Sequence, residues 1–188
     1  MNWRPLCVAT FAAMSAFGSA AAGEQFTDKN GVANFGYDVV AYHTTFQATV
    51  GSDQYVASYN DATFWFASAE NRDLFLGNPQ AFAPAYDGHC AFALTNHKKL
   101  LVDPEAFSIV DQDTGQQVDP TTYIPGQGEL YLNYSVGVNE KFKKDLAANI
   151  DKADYAWIDC LEKRPAATPK KRFNDLFSSG RPDSCPVN

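Results

Sequence analysis

QYVASYNDATFWFASAENRDLFLGNP, residues 54–79, holds the clearest run of strand, turn and helix signals in the chain. Its first two runs, QYVASY at 54–59 and ATFWF at 62–66, are rich in the aromatic and β-branched residues that suit a pleated surface. Asn60-Asp61 lies between them, two residues that tolerate the positive φ of a tight turn, so the spacing predicts an antiparallel hairpin. Ser68 follows as a helix cap with Glu70 in the first turn. Residues 69–76 therefore predict a helix, which Gly77-Asn78-Pro79 ends. Leu74 and Phe75 are expected to pack onto the hairpin.

Outward from this unit the chain keeps mixing strand and helix signals. Residues 80–86 read as a Pro-containing connector that delivers the chain to Gly88-His89-Cys90, where glycine permits a close turn. Asp103-Pro104-Glu105 has the form of a helix start, with Asp as cap and Pro in the first turn. Residues 111–128 are polar and read as a long surface loop before a strand at 129–134. Between 137 and 161, Phe142, Leu146, Ile150, Ala153 and Trp157 recur at three- or four-residue spacing, the mark of one apolar helix face. That stripe reads as core. The predicted class is α+β: a small antiparallel hairpin or sheet packed with helices, plus a long C-terminal amphipathic helix.

Residues 1–22 have the layout of a cleaved signal peptide, with Arg4, an apolar run and then Ala20-Ala21-Ala22. A periplasmic or secreted protein is the expectation, with Cys7 discarded in the leader. The 15 Lys and Arg less Arg4 leave 14 against 22 Asp and Glu, a net charge of −8 that argues against nucleic acid as a partner. No apolar run approaches the roughly 20 residues that a membrane span needs. Residues 23–161 are expected to form one domain, and the basic, proline-containing residues 162–188 an irregular tail.

Export makes the cysteines informative. Cys90, Cys160 and Cys185 remain, so one bridge at most can form within the chain. Cys160 with Cys185 is the natural pair, because a bridge there would pin the tail, stabilising the fold by roughly 3 kcal/mol in the chain-entropy account. Cys90 is then left beside His89. It reads either as a small buried hydrophobe or as a functional thiol activated by its neighbour.

The order GYDVVAY (36–42), then FWFASAENRDLF with its following Asn-Pro, then APAYDGHCAFAL (83–94), DPEAFSIV (103–110) and ELYLNYS (129–135) resembles the YHS family, in its exported single-domain form. The resemblance runs over residues 34–157. It implies a compact α+β unit and a connection to heavy metals, without implying a reaction. Val39, His43, Asp87, His89 and Phe92 depart from the family pattern, and residues 112–127 look inserted.

Three functions follow as expectations. The first is binding of a soft transition metal, copper or zinc, by Cys90, His89 and His43, with His97 as a further candidate. Met1 and Met14 both fall in the leader, which excludes a methionine-rich copper carrier. The second is a non-enzymatic module with a structural Cys90 that binds an exported protein partner or a small ligand, its cleft lined by Tyr37, Asp38, Tyr42 and Tyr86, with Trp65 nearby. The third is a cysteine enzyme, with Cys90 as nucleophile, His89 or His43 as base and Asp38 or Asp87 as orienting group. No standard enzyme motif accompanies that third set, and no catalytic residue is assigned. Asp111, Asp113 and Asp119 lack the glycine placement and closing Glu of a calcium loop, and read as a solvated turn.

Overall fold

The computed structural model describes residues 25–162 and the pair 183–184. The expected leader with its cleavage point, Cys7, Cys185 and most of the tail lie outside the described residues, as does the side chain of Cys160. No helix among the described residues is long and apolar enough to cross a membrane.

The first helix, α1 (Val39–Thr45), starts where Asp38 Oδ1 accepts from the Val40 and Ala41 amides at 2.8 and 3.2 Å. These are two of the donors a helix start otherwise leaves without a partner. The expected hairpin follows as β1 (Ser52–Tyr59) and β2 (Ala62–Phe66), with Tyr59 opposite Ala62. Asn60 and Asp61 close it at φ 47° and 59°, the left-handed geometry of a two-residue turn. Ser68 Oγ accepts from the Asn71 amide and opens α2 (Ala69–Gly77). Phe75 of α2 is fully buried, 4.9 Å from Phe64 and 5.1 Å from Phe66 between ring centroids. Leu74 does not join it: one residue earlier is 100° around the helix, and it is 49% exposed.

Beyond α2 the chain forms α3 (Ala91–Leu94), β3 (Lys98–Lys99), β4 (Asp103–Asp111), β5 (Gln116–Gln117) and β6 (Gly128–Asn133). The helix expected from Asp103-Pro104-Glu105 is therefore a strand. Asp103 Oδ1 does accept from the Glu105 amide at 3.0 Å, so the local cap chemistry exists. The residues after it, Phe107 to Val110, pair with Leu132 to Glu129 of β6, and this non-local ladder decides the outcome. Pro104 cannot donate to that ladder, and the register shifts between Asp103 and Phe107.

The last predicted helix is two: α4 (Val136–Lys143), capped by Ser135, and α5 (Leu146–Glu162). Asn149 bridges the break by donating to the Phe142 carbonyl at 2.9 Å. Phe142 and Ala153 are fully buried, and Leu146, Ile150 and Trp157 pack around them, so the apolar stripe is core as expected. Within the expected irregular tail, β7 (Asp183–Ser184) pairs antiparallel with β3, Asp183 opposite Lys99. The sheets are thus β1–β2, β3–β7 and β5–β4–β6. One core lies between α1, the hairpin and β4–β6, and a second lies under α5.

Candidate functional site

His89 and Cys90 follow three residues with left-handed backbone, Tyr86, Asp87 and Gly88, at φ 55°, 52° and 77°. The turn expected at this point is there. His89 and Cys90 themselves are extended, and successive side chains on extended backbone point to opposite sides. The His89 ring meets Phe26 edge-on at 5.5 Å and lies 6.1 Å from the Trp157 ring. The Cys90 thiol enters the other core and is fully buried.

Cys90 Sγ belongs to a sealed polar network. The Tyr134 amide donates to it at 3.2 Å, and it stands 3.7 Å from Asn133 Oδ1, which also accepts from the Phe92 amide. Asn133 Nδ2 donates to Asn139 Oδ1, as does Ser108 Oγ, both at 2.9 Å, and Asn139 Nδ2 donates to the Phe107 carbonyl. The network ties the start of α3 to β6, α4 and β4. Burial pushes the Cys90 thiol above its ordinary pKa, so it is the neutral thiol at pH 7 and a poor nucleophile.

His43 is elsewhere and equally enclosed. Its Nδ1 lies 2.6 Å from the Tyr123 hydroxyl, which also accepts from the Gly126 and Gly128 amides. With both lone pairs engaged, Tyr123 donates its only proton to Nδ1, which places the imidazole proton on Nε2. That Nε2 has no hydrogen-bond partner. Burial lowers the His43 pKa to about 4, so the ring stays neutral. His43 therefore pins the 112–127 segment to α1.

The predicted cleft residues are dispersed. Asp38 is fully buried: besides capping α1, its Oδ2 accepts from the Ala67 amide at 2.8 Å and Asn71 Nδ2 at 2.6 Å, binding α1 to α2. Tyr42 is also sealed, donating to the Pro104 carbonyl and accepting from Asn34 Nδ2. Neither can line an open cleft, because each is spent inside the core. Tyr37 is half-buried at a bridge to Val50. Trp65 covers Gly36, whose φ of 80° and lack of a Cβ the close ring requires. Asp87 accepts from Gln25 Nε2, and the His97 ring meets Tyr155 of α5. Asp111 and Asp119 are held in local turns by the Thr114 and Thr121 amides, which fits the solvated-turn reading. Among the described residues no three His, Cys, Asp or Glu side chains come together as a metal-holding group.

Tyr86 leads to an open site that the sequence did not show. Its hydroxyl donates to Asp154 Oδ1 at 2.8 Å, across 68 residues of chain. Beside this contact a cavity of about 380 Å³ separates β4–β6 from α5, with Val110, Gln112 and Tyr131 on one wall and Ala147, Ile150, Asp151 and Asp154 on the other. Glu129 is not part of that lining, but accepts from Nε2 of the lining residue Gln112 at 2.6 Å. Burial, with the Asp154 charge, pushes its carboxyl up to about 7. The sole sequence-level signal was Tyr86 itself, a bulky residue placed where the backbone must be left-handed, and φ is not legible in a sequence.

No protein-family model, no curated protein and no solved structure matches this chain.

Proposed function

We propose that the chain is an exported binding module of the YHS type that acts without a catalytic thiol, and that it holds a small ligand in the cleft between β4–β6 and α5. One observation carries this reading: the cleft beside Tyr131, Ile150 and Asp154 is open, whereas Cys90, His43, Asp38 and Tyr42 are sealed in the core. Its apolar floor and acidic rim suit a ligand with an apolar body and protonated or hydrogen-bond-donating groups. Copper or zinc at Cys90 would first require the Asn133 network to open and the thiol to ionise. The sequence basis for export remains the leader at 1–22, and for the family the motif order.

The test is a thermal-shift and NMR titration with small aliphatic and aromatic amines, matched against the corresponding carboxylates. Amines that raise the melting temperature and move the Tyr131, Ile150 and Asp154 resonances support the reading, provided Asp154→Asn weakens the effect. Shifts centred on Cys90 and His89, or none with any amine, overturn it.

A further inference from the structure

Among the described residues one face of α5 stands open to water, and the chain beyond α5 returns to that same end of the helix. Ala153 and Ala156 are fully buried where α5 packs on α3 and α4. At about 100° of turn per residue, Asp151, Asp154, Tyr155 and Ile158 fall on the opposite side. All four are exposed, Tyr155 by 69% and Ile158 by 58%, so two large apolar side chains sit in water beside two carboxylates. The chain leaves α5 at Glu162 and is next described at Asp183, which pairs with Lys99 of β3. The Lys99 ammonium lies 4.3 Å over Trp157, and the His97 ring, just before β3, meets Tyr155 edge-on at 6.2 Å. Both ends of the intervening segment 163–182 are thus fixed at the C-terminal half of α5, and at ~3.3 Å per residue its length reaches every part of the outer face. The composition of that segment complements the face. Phe173, Leu176 and Phe177 are its only large apolar residues, at the three- and four-residue spacing of one apolar helix side. Its basic residues, three of them consecutive at Lys170-Lys171-Arg172, are set against a single acid, Asp175.

We propose that the outer face of α5 is the docking surface of the chain's own residues 170–177: Phe173, Leu176 and Phe177 cover Tyr155 and Ile158, and Lys170-Lys171-Arg172 lies along Asp151 and Asp154. The docking is independent of any ligand in the neighbouring cavity, whose lining includes neither Tyr155 nor Ile158. It gives the tail a second attachment beside the two-residue ladder of β3 with β7, which is marginal alone. An anionic lipid surface or a second copy of the chain would suit the same chemistry. The chain's own segment is favoured because a tether at both ends holds it at an effective concentration on the order of millimolar. Covering one isoleucine side chain shifts such an equilibrium by about tenfold. The charge attraction, between exposed groups, adds less and is screened by salt.

Limited trypsin digestion of the full exported chain, quenched, reduced and read by mass spectrometry, tests this. Cleavage after Lys170, Lys171 and Arg172 should be at least about tenfold slower than in a synthetic peptide of residues 163–182. Ile158→Ser, at an exposed position, and Phe177→Ser should each raise that rate about tenfold towards the peptide's, while Ile158→Val keeps the parent's protection. Cleavage of the parent at the peptide's rate overturns the proposal, as does a rate that Ile158→Ser leaves unaltered. Should Ile158→Ser fail to fold, an unaltered rate in Phe177→Ser overturns it equally. Protection that appears only with phosphatidylglycerol vesicles, or only at concentrations where sedimentation finds a dimer, assigns the face to a lipid surface or a second copy and overturns it too.

Discussion

Replacing Cys90 by Ala, Val and Ser separates a structural thiol from a ligand by stability alone. Alanine removes the sulfur from a fully buried site and leaves the Tyr134 amide, 3.2 Å from Sγ, without its acceptor. A void of about one methylene destabilises by roughly 1 kcal/mol, and an orphaned amide by a further ~1–3 kcal/mol, less where water can reach it. Tyr134 is half exposed, so the lower end applies and Cys90→Ala should lose about 2 kcal/mol. Valine refills the volume but accepts no hydrogen bond, and should lose ~1–2 kcal/mol. Serine can accept from Tyr134 and donate to Asn133, and should lose under about 1 kcal/mol. Urea unfolding in chelator, followed by circular dichroism, measures all three. The expected order of loss is Ala, then Val, then Ser. An alanine variant within about 0.5 kcal/mol of the parent would refute the network argument, because a thiol that can be removed at no loss holds nothing together.

Three further outcomes follow. His43 has its pKa lowered from 6.5 to about 4, so its contribution is present above pH 6.5 and is lost as pH falls towards 4, by at most about 3 kcal/mol. His43→Phe should flatten the parent's stability loss between pH 7 and pH 4 while weakening the fold at pH 7 through the orphaned Tyr123 proton; an unchanged acid profile would exclude His43 as its source. Non-reducing peptide mapping should find Cys160 joined to Cys185 and Cys90 reduced, since Asp183 pairs with Lys99, whose ammonium lies over Trp157, three residues before Cys160; a bridge to Cys90 would contradict both this and the buried thiol. The intact mass of the exported protein should lack residues 1–22, and a retained leader would remove the case for export.

What the sequence revealed and what it hid divide along local and non-local physics. The Asn60-Asp61 turn, the Ser68 cap and the strand at 129–134 are set by neighbours within a few residues, and each stands where its pattern puts it. Asp103-Pro104-Glu105 misleads because its cap-like bond also serves a strand entry, and only pairing with β6, more than 20 residues away, decides between them. The break between α4 and α5 depends on an Asn149 bond to Phe142, a detail that apolar spacing does not carry. The candidate site follows the same division. His89 and Cys90 adjoin in sequence yet part in space, because extended backbone alternates its side chains. Tyr86 and Asp154 share no local motif, and meet through the turn at Gly88 and the placing of α5.

Alkylating the native protein with iodoacetamide, with and without Zn(II), and quantifying the Cys90 peptide by mass spectrometry distinguishes a sealed structural thiol from a reactive or metal-binding one. Cys90 should stay unlabelled until denaturant is added, and zinc should not alter its rate. Labelling of native Cys90 at the rate of an exposed thiol, or protection by zinc in an otherwise unchanged fold, would contradict a sealed thiol.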